Sequence, residues 1–464
     1  MIAFLKKKER FFWILIILLI LAMGYCARHV SREENVAEQD KYMRLFHEAY
    51  TKLRTHYALA DKVKSSKKLV YGAIKGMFAA TGDPYTSFMD ERFFSMLKEQ
   101  MGGQFGGIGF SLMKRDKQYV ILYTMPGSPA RRGGILPRDR LIKINGKPTK
   151  KMKYRDVLKH LKGPVKTKVN LTLSRGKSKK VFTVTIIRAI IKTPDVEYKM
   201  LKNKIAYLKL KQFSHVAAGP MEAVLSKFKK NNIKGLIFDL RGNTGGSLET
   251  CSAITNFFLE GNRKLVYIKG HIEQPGHYLK SHGSRTIFPT LPLVVLSDGM
   301  SASASEIFIG AMQDHRRAVV FGSKSFGKGS VQVFNRSDTG LNVGFKATNS
   351  MWYTPKRRAI HKVGLDPDIE ITRTKLSQTE RYYLYRLNKM KLIEKYVEAH
   401  PKLSRKDITR FNKRLKKKKI NLNKDLVTYL LKYEKYLFKG GLIIDMNHDK
   451  VLSAAWNYLN HRTQ

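Results

Sequence analysis

The sequence predicts an α/β core with an inserted mostly-β domain and helical regions at both ends. Three observations support this fold class. From about residue 191, continuous apolar segments alternate with helical patterns, which is typical of a parallel sheet covered by helices. Before them, short alternating segments lie between Gly and Pro turns, as in small β domains. Residues 34–101 and 374–464 carry apolar residues at three- and four-residue spacing, which indicates amphipathic helices.

The first 33 residues have the pattern of an uncleaved signal anchor. The segment 6–10 (KKKER), with a net positive charge, precedes the apolar segment 11–27, whose length is at the short limit for a membrane span. The positive flank favours a cytoplasmic N-terminus and export of the remainder. Bulky Tyr25 before Cys26 argues against a lipoprotein cysteine, and no small-x-small cleavage site follows. We expect residues 1–33 to anchor the protein in the membrane of the cell envelope, with the remainder on the extracytoplasmic, periplasmic side.

The composition is that of a large, strongly basic globular protein. Of 464 residues, 43% are hydrophobic, so several domain cores can be buried. The 88 Lys and Arg against 36 Asp and Glu give a net charge of +52, which favours contact with polyanions, anionic membranes or acidic proteins. The basic residues are spread over nearly every segment without a nucleic-acid-binding motif. We therefore expect no nucleic-acid partner.

Cysteine and histidine usage indicates no disulfide framework and no zinc site. The two cysteines, Cys26 and Cys251, lie far apart in apolar segments, and neither has the spacing of a metal-ligand pair. The histidines include no HExxH pattern. We expect neither a metal nor another cofactor.

Residues 34–101 predict a helical N-terminal region. The segments 36–57 and 67–89 both show helical spacing of apolar residues. The second pattern stops at the Gly82-Asp83-Pro84 turn, because these residues interrupt helices.

Residues 102–190 predict a compact domain made mostly of strands. Gly107, Ile108, Gly109 and Phe110 offer bare backbone amides beside a strand edge. Such a site can bind the C-terminal carboxylate of a peptide and add the peptide as a further strand.

Two further segments make this interpretation more specific. With the turn at 128–135 and the strand at 139–146, the glycine-rich stretch resembles that of a PDZ domain. Arg138 departs from the family, which usually has Gly at this position.

Residues 191–373 predict the α/β core. Buried strands at 233–240, 291–299 and 318–322 alternate with helices at 247–261 and 300–315. The carboxyl ends of parallel strands gather functional groups at one edge of a sheet. The turns that follow these strands are therefore candidate functional segments.

The stretch that ends at Lys328 nearly fits a phosphate-binding loop, with Gly322 and Gly327 in register. That loop needs Ser or Thr directly after the lysine to hold Mg²⁺, and it opens a helix. Here Gly329 follows the lysine, and the next residues are β-branched and aromatic, which predicts a strand. The sequence supports a nucleotide-binding role only weakly.

Residues 301–305 and Lys328 suggest a serine nucleophile with a lysine base. A lysine accepts a proton only when it is deprotonated, and apolar surroundings favour that form. A structural alternative exists, because Ser303 and Glu306 have the spacing of a capping box and a lysine in so basic a chain is most often a surface residue. The residues alone leave Ser301, Ser303 and Ser305 in competition.

Several motifs in one order resemble those of the carboxyl-terminal processing peptidases, the PDZ-containing S41 serine peptidases of the tail-specific protease type. They lie at residues 72–90, 102–110, 239–246, 297–332 and 363–371. The resemblance implies a ClpP/crotonase-like layered α/β protease core over residues 191–373, with the PDZ domain at 102–190.

The resemblance also implies roles for individual residues. Ser303 resembles the nucleophile, Lys328 the general base, and Gln332 the residue that orients the lysine. The oxyanion hole would combine the amide of Ala304 with that of Gly245 or Gly246, and the choice between the two glycines stays open. The Gly107, Ile108, Gly109 and Phe110 stretch matches the carboxylate-binding loop. In both glycine-rich turns, the structural alternative is a tight turn without a binding role.

Residues 374–464 form a basic region rich in Lys, Tyr and Leu, in which we expect helices. Its run at 413–419 is interpreted as a solvated helix face or linker, or as an electrostatic contact with a membrane or acidic partner. The helical ends could support a homo-oligomer.

Together these observations predict a serine endopeptidase that cleaves exported proteins near their C-termini and recognises the substrate C-terminus through its PDZ domain. The alternatives are a catalytically silent PDZ scaffold or adaptor, and a polyanion-binding protein.

Overall fold

The computed structural model describes residues 40–102, 104–176, 180–192, 194–270, 275–371, 376–438 and 444–463. The expected membrane anchor and Cys26 lie outside the described residues. Within the described ranges, no helix has both the length and the apolar character that crossing a bilayer requires. The chain divides into two compact units between Asp90 and Glu91.

The first unit is mainly helical, as predicted. Its elements are α1 (residues 40–56), α2 (Ala60–Val63), α3 (Ser66–Ala79) and the short strand β1 (Ser87–Met89). The predicted stop at Gly82-Asp83-Pro84 is confirmed, because α3 ends at Ala79 and Asp83 accepts hydrogen bonds from the Tyr85 amide at 2.9 Å and the Thr86 hydroxyl at 2.6 Å. This local bonding competes with helix continuation, and β1 comes directly after it.

The second unit begins with a helix and a domain made mostly of strands, which we call the β domain. Its elements are α4 (Glu91–Gly102), β2 (Gln104–Gly107), β3 (Phe110–Arg115), β4 (Gln118–Thr124), α5 (Pro129–Arg132), β5 (Arg140–Ile144), β6 (Lys147–Pro148), α6 (Tyr154–Leu161), β7 (Lys168–Arg175), β8 (Lys180–Ile187) and β9 (Ala189–Lys192). The main sheet has the order β3-β4-β5-β7-β8, and β2 pairs separately with β9. Alternating residues of these strands, such as Val169, Leu171 and Leu173, are fully buried, as expected for a sheet with one covered face.

The α/β core comes next, and its main sheet is parallel as predicted. Its elements are β10 (Val196–Met200), β11 (Ile205–Leu210), α7 (Ala218–Lys230), β12 (Gly235–Asp239), α8 (Leu248–Asn256), β13 (Lys264–Lys269), β14 (His277–Lys280), β15 (Leu293–Ser297), α9 (Ala304–Asp314), β16 (Val319–Gly322), β17 (Ser330–Arg336), β18 (Gly344–Tyr353) and β19 (Ile369–Glu370). The order is β10-β11-β12-β15-β16-β19, with parallel pairing from β11 to β19 and β10 antiparallel at the edge. Strands β17, β18, β13 and β14 form antiparallel pairs in a second sheet.

The main sheet is buried on both faces. Leu236 and Phe238 of β12 belong to the core on the side of α7, α8 and α9. Ile237, between them, belongs to a second core that contains Leu452 and Leu459. Because successive strand side chains point to opposite faces, the continuous apolar strand 235–239 is explained by two covering layers.

The C-terminal region is helical, as predicted. Its elements are α10 (Gln378–Lys389), α11 (Leu392–Ala399), α12 (Arg405–Lys417), α13 (Lys424–Leu437) and α14 (Lys450–Thr463). Helices α10 to α13 share one apolar core, whereas α14 supplies the second covering layer of the main sheet. The basic run at 413–419 lies at the end of α12, mostly exposed, where positive charge complements the helix dipole.

The β domain contacts the C-terminal helices through ion pairs. Arg115 at the end of β3 donates to both oxygens of Glu434 on α13 at 3.0 and 3.2 Å, and it lies 3.1 Å from Glu394 on α11. Arg138 pairs with Glu398 at 3.4 Å and lies over the Phe438 ring at 4.4 Å. We call this contact the Arg115–Glu434 interface.

Candidate active site

The candidate site lies at the carboxyl edge of the main parallel sheet. Residues 241–246 follow β12, residues 298–303 follow β15, and residues 323–329 follow β16. Neighbouring parallel strands bring these three turns together, as the sequence predicts. Backbone bonds join them directly, because Ala302 donates to the Asn243 carbonyl at 3.1 Å and Phe326 donates to the Ser301 carbonyl at 3.0 Å.

Ser303 occupies a strained position immediately before α9. Its φ of 56° and ψ of −116° lie where residues with a side chain are uncommon, and such strain is often found at functional sites. Gly245 makes the conformation sterically feasible, since a Cβ on Gly245 would lie 2.9 Å from the Ser303 Cβ. Ser303 is partly exposed, and its Oγ donates no hydrogen bond to the described protein.

The neighbouring serines have structural partners. Ser301 and Ser305 are both fully buried. The Ser301 hydroxyl donates to the Leu240 carbonyl at 2.9 Å, and the Ser305 hydroxyl donates to the Asn243 carbonyl at 2.9 Å. Ser301 therefore ties the turn after β15 to the turn after β12, and Ser305 ties the first turn of α9 to it. Only Ser303 of the three reaches the surface.

Glu306 connects residues 298–303, which we call the serine turn, to residues 323–329, which we call the lysine loop. Its carboxylate is fully buried and accepts the Ser303 amide at 2.9 Å, as a capping box requires. The same oxygen, Oε2, accepts the Lys328 amide at 2.9 Å. The other oxygen, Oε1, accepts the Gly327 amide at 2.7 Å and the Ser325 hydroxyl at 2.6 Å. The capping interpretation of this pair is thus correct but incomplete.

The backbone of Lys328 is held from both sides. Beyond the bond from its amide to Glu306, its carbonyl accepts the indole N–H of the buried Trp352 at 3.0 Å. Gly327 has a φ of +91°, and a Cβ on it would lie 2.9 Å from the Gly364 amide nitrogen. Glycine is therefore needed beside this lysine for close packing. The strand predicted after the lysine is β17, and the Lys328 side chain is partly buried.

Gln332 lies on β17, on the same strand face as Ser330. Its side-chain nitrogen donates to the Ser330 hydroxyl at 2.8 Å and to the Thr348 hydroxyl at 3.4 Å. These bonds fix the orientation of the amide near the start of the strand that follows Lys328.

The turn after β12 contains two glycines with different hydrogen bonding. The Gly245 amide donates to the Asn243 side-chain oxygen at 2.9 Å, so it has an internal partner. Neither the Gly246 amide nor the Ala304 amide donates to an acceptor among the described residues. The Ala304 amide is an unpaired donor of the first turn of α9, where the helix dipole favours negative charge.

The glycine-rich loop of the β domain is anchored by its carbonyls. The Ala130 amide donates to the Ile108 carbonyl at 2.8 Å, and the Met125 amide donates to the Gly109 carbonyl at 2.9 Å. The amides of Ile108 and Gly109 themselves have no acceptor in the described chain. Gly107, Ile108 and Gly109 are buried and Phe110 is partly exposed. Phe110 begins β3, an edge strand whose one ladder partner among the described strands is β4.

A buried charge network supports the turn after β12. Asp239 accepts the Tyr207 hydroxyl at 2.6 Å and the Arg241 guanidinium at 2.6 Å. Arg241 also donates to both oxygens of Asp449 at 2.7 Å. Burial would raise the pKa of Asp239, but the hydrogen bonds and charge of Arg241 and the charge of Lys209 hold it below its ordinary value. Burial, followed by the charge of Asp239, raises the pKa of Tyr207.

Cys251 lies behind the serine turn, and its thiol is expected to be unreactive. It is fully buried on α8, and its thiol donates to the Ala304 carbonyl at 3.1 Å. Burial raises the pKa of this thiol to about 12, so the thiolate needed for nucleophilic attack is scarce at neutral pH. Cys251 is a free cysteine.

Several residues of the site escaped the sequence analysis. Asn243 bridges the turn to β11 through the Leu210 carbonyl at 3.0 Å, and its place in a glycine-rich turn was the available signal. Ser325 has no local signal, because its partner Glu306 comes from another element. Asp449 could be recognised as a helix-start residue, since it accepts the Leu452 amide at 3.0 Å, but its pairing with Arg241 could not.

Comparison with protein families identifies three regions. Residues 204–371 match Peptidase family S41, residues 120–175 match a PDZ domain, and residues 23–92 match the N-terminal domain of activating protease CtpB.

Individual relatives match over most of the chain. The Carboxy-terminal-processing protease of Bartonella bacilliformis is 33% identical over 341 residues, which cover 72% of this chain and 76% of that protein. The Carboxy-terminal processing protease CtpA of Bacillus subtilis is 29% identical over 371 residues, which cover 79% and 78% respectively. The solved structure of the photosystem II D1 C-terminal processing protease superposes with a TM-score of 0.42 at 24% identity, covering 71% of this chain and 92% of that chain.

Proposed function

Since this chain belongs to the PDZ-containing carboxy-terminal processing serine proteases of peptidase family S41, we propose that it cleaves exported proteins near their C-termini with a Ser303/Lys328 dyad. The observation that carries this proposal is the shared contact with Glu306. One carboxylate oxygen accepts the amides of both Ser303 and Lys328 at 2.9 Å. Two residues distant in sequence therefore belong to one hydrogen-bonded cluster.

In the proposed mechanism, the Ser303 hydroxyl attacks the carbonyl carbon of the scissile peptide bond. Lys328, in its deprotonated form, takes the serine proton and later gives it to the leaving amine. Water then attacks the acyl-enzyme, Lys328 accepts a proton from that water, and Ser303 is regenerated. We assign the orientation of Lys328 to Gln332, which lies on the strand that starts next to the lysine loop.

The oxyanion of the tetrahedral intermediate needs preorganised donors. We assign this role to the amides of Ala304 and Gly246, because both lack an acceptor among the described residues. The Gly245 amide is less suitable, since it already donates to Asn243 at 2.9 Å. Donors that have no competing partner keep their full strength for the transition state.

Substrate selection is assigned to the PDZ domain. The amides of Ile108 and Gly109, beside Gly107 and Phe110, would bind the C-terminal carboxylate of a substrate. The edge strand β3 would accept the last residues of the substrate as an added strand. Unpaired loop amides and an unpaired strand edge among the described residues support this proposal.

We place the protein in the cell envelope, anchored by residues 11–27, with the protease domain on the extracytoplasmic, periplasmic side. The basis is the apolar segment with its positive flank, which favours export of the residues C-terminal to it. A homo-oligomer built through the helical ends stays a prediction.

The test uses the full chain and an unstructured substrate with either a free or an amidated apolar C-terminus. We expect Ser303→Ala and Lys328→Ala each to lower kcat/KM by at least about 10³-fold, because members of a catalytic unit are rarely replaceable. The matched control is Lys324→Ala, in the same loop, whose side chain is half exposed and pairs with Asp366 at 3.2 Å. This control should retain wild-type activity, and the amidated substrate should be cut more slowly.

The outcomes separate the alternatives. Full activity in Ser303→Ala or Lys328→Ala would contradict the dyad. A wild-type protein that binds the free C-terminus without cleaving it would indicate a scaffold. Equal cleavage of the free and amidated substrates would remove the carboxylate-binding role of the PDZ loop while leaving the dyad intact.

A further inference from the structure

We infer that Glu306 is a positioning residue that fixes Lys328 relative to Ser303, and that its carboxylate is required for turnover rather than only for the start of α9. The inference rests on the proposed Ser303/Lys328 dyad. It goes beyond that proposal because it assigns the geometry of the dyad to a third side chain that touches no reacting atom.

The first argument is the number and origin of the bonds to Glu306. In a capping box the glutamate carboxylate accepts one bond, that from the Ser303 amide. Glu306 accepts three more, from the Lys328 amide at 2.9 Å, the Gly327 amide at 2.7 Å and the Ser325 hydroxyl at 2.6 Å. All three additional donors belong to the lysine loop. Their bonds to Glu306 therefore do not contribute to capping α9.

The second argument is the chemical form of the group. An ionised carboxylate is purely an acceptor with about four lone-pair sites, and here four donors surround it. Hydrogen bonds to a charged acceptor are roughly twice as strong as neutral ones. Because Glu306 is fully buried, water cannot replace a missing donor, so the loss of any one donor weakens the whole cluster.

The third argument is the place where the bonds converge. Oε2 holds the amide of the residue that carries the nucleophile and the amide of the residue that carries the base. Ser303 is in a strained conformation, with a φ of 56°, so it needs a strong local restraint to stay there. A single atom thus restrains both partners of the dyad, and neither can shift without stretching a bond to it.

The central test is Glu306→Gln, which keeps the size of the side chain. An amide has one acceptor oxygen, and its nitrogen is a donor, so at least one backbone N–H of Ser303, Gly327 or Lys328 would face another donor. We expect kcat to fall by about 30- to 100-fold with KM changed less than about threefold, because small misplacements of reacting groups cost roughly that much. Labelling of Ser303 by a fluorophosphonate should slow by a similar factor.

The matched control is Asp314→Asn, at the other end of the same helix. The Asp314 carboxylate is also nearly buried, and it accepts the Lys356 amide at 2.8 Å and the Arg358 guanidinium at 2.7 Å. It therefore tests the loss of a buried carboxylate that ties α9 to another loop. We expect Asp314→Asn to lower the melting temperature about as much as Glu306→Gln does, but to keep kcat within about twofold of wild type.

A second variant keeps the inference testable if Glu306→Gln does not fold. Ser325→Ala removes one donor from the carboxylate and leaves the charge in place. We expect kcat to fall about three- to tenfold without a change in KM. In the Glu306→Gln background the same change should have no further effect, because residues of one network are not additive.

The results distinguish this inference from the proposed function. Activity in Ser303→Ala, measured in the same assay, would overturn the dyad itself. If Ser303→Ala is inactive but Glu306→Gln turns over at the wild-type rate, only the positioning role is overturned. An equal loss of kcat in Asp314→Asn would overturn it as well, since the effect would then come from general destabilisation of α9.

Discussion

The buried charge of Asp239 contributes to the stability of the fold at the carboxyl edge of the main sheet. It ends β12, is fully buried, and is surrounded by the Tyr207 hydroxyl, the Arg241 guanidinium and, at 3.9 Å, the Lys209 ammonium. Its pKa lies below the ordinary value because these partners outweigh the cost of burial. The charged form therefore stabilises the fold, and protonation removes that contribution.

The pH dependence of stability is set by this shift. A carboxyl whose folded-state pKa is lowered stabilises the protein fully above its ordinary pKa of about 4, and this contribution is lost as pH falls through the lower folded value. We expect Asp239→Asn to cost about 3 kcal/mol at pH 7, because it breaks a buried ion pair. We would measure the free energy of unfolding by urea between pH 3 and 7. The difference between wild type and Asp239→Asn should become smaller below about pH 4. A gap that stays constant with pH would contradict this assignment.

At the scale of single residues, the sequence predicted which segments meet at the candidate site, whereas the roles of the individual residues stay predictions. The residues alone left Ser301, Ser303 and Ser305 in competition, and the family resemblance singled out Ser303. The structure brings the segments of Ser303, Lys328 and the two glycines to one edge of the sheet. The sequence left the choice between Gly245 and Gly246 open, because the bond from the Gly245 amide to the Asn243 side chain depends on the folded turn. The full set of Glu306 contacts was likewise hidden, since three of its donors come from the loop at 325–328.

Among the elements, α14 both covers the main sheet and, through the residue before it, contacts the glycine-rich turn. It covers the second face of the main sheet with Leu452, Ala455 and Leu459. The residue just before it, Asp449, holds Arg241 of the glycine-rich turn with two bonds of 2.7 Å. Asp449 also accepts the Leu452 amide at 3.0 Å as a helix cap. The C-terminal helix is thereby coupled to the turn that carries the proposed oxyanion donor.

Two substitutions separate these roles of Asp449. Asparagine is as good a helix cap as aspartate, so Asp449→Asn removes the charged pairing and keeps the cap. We expect it to cost roughly 1–3 kcal/mol, whereas Asp449→Ala should cost about 1 kcal/mol more because the cap is also lost. Melting temperatures should therefore fall in the order wild type, Asn variant, Ala variant. Identical melting temperatures for the two variants would mean that the cap contributes nothing.

Strands and helices were predictable where the local pattern is strong. Strands β12, β15 and β16 appear as continuous apolar segments, and the structure confirms each one. Strand β1 was missed, because it is only three residues long and follows closely on the turn around Asp83. That α14 covers the sheet was also hidden, since its apolar spacing is equally compatible with the separate helical core of α10 to α13.

On the scale of the whole second unit, the Arg115–Glu434 interface joins the PDZ domain to the C-terminal helices. Glu434 is nearly buried, and Arg115 donates to both of its oxygens. Burial opposes the charge on Arg115, but Glu434 and Glu394 outweigh it and raise the pKa of Arg115 above its ordinary value. Arg138 adds an ion pair and a contact with the Phe438 ring. Paired, partly desolvated charges of this kind restrict how two domains move.

Charge reversal tests this interface. We expect Arg115→Glu and Glu434→Arg each to increase hydrogen exchange in β3 and α13 by at least about tenfold, because each leaves like charges in a partly buried contact. The double variant should restore part of the protection, since the 115–434 pair is re-formed with opposite polarity while position 115 then carries the same charge as Glu394. Salt has a limited effect on buried pairs, so the result should hold at moderate ionic strength. Failure of the double variant to recover any protection would exclude a direct pairing.

This interface was the least predictable part of the molecule. Arg115 and Glu434 are 319 positions apart, and no local pattern links them. Arg138 gave a partial signal, since it stands where a PDZ domain usually has Gly. Its φ of +75° shows that the glycine-like backbone is retained, at a conformational cost. The arginine side chain contacts Glu398 and Phe438, which explains why this chain tolerates the departure.

The place of α14 along the chain also sets the order in which the protease can be completed during its synthesis. Strands β11 to β19 are made first, and their second apolar face must then wait for residues 450–463. At about 5–20 residues per second, the interval from residue 370 to residue 450 lasts roughly 4–16 s. Until Asp449 has been synthesised, Arg241 lacks one of its two carboxylate partners and the sheet lacks one covering layer. A nascent chain therefore carries the serine and lysine long before it has the support of a working protease.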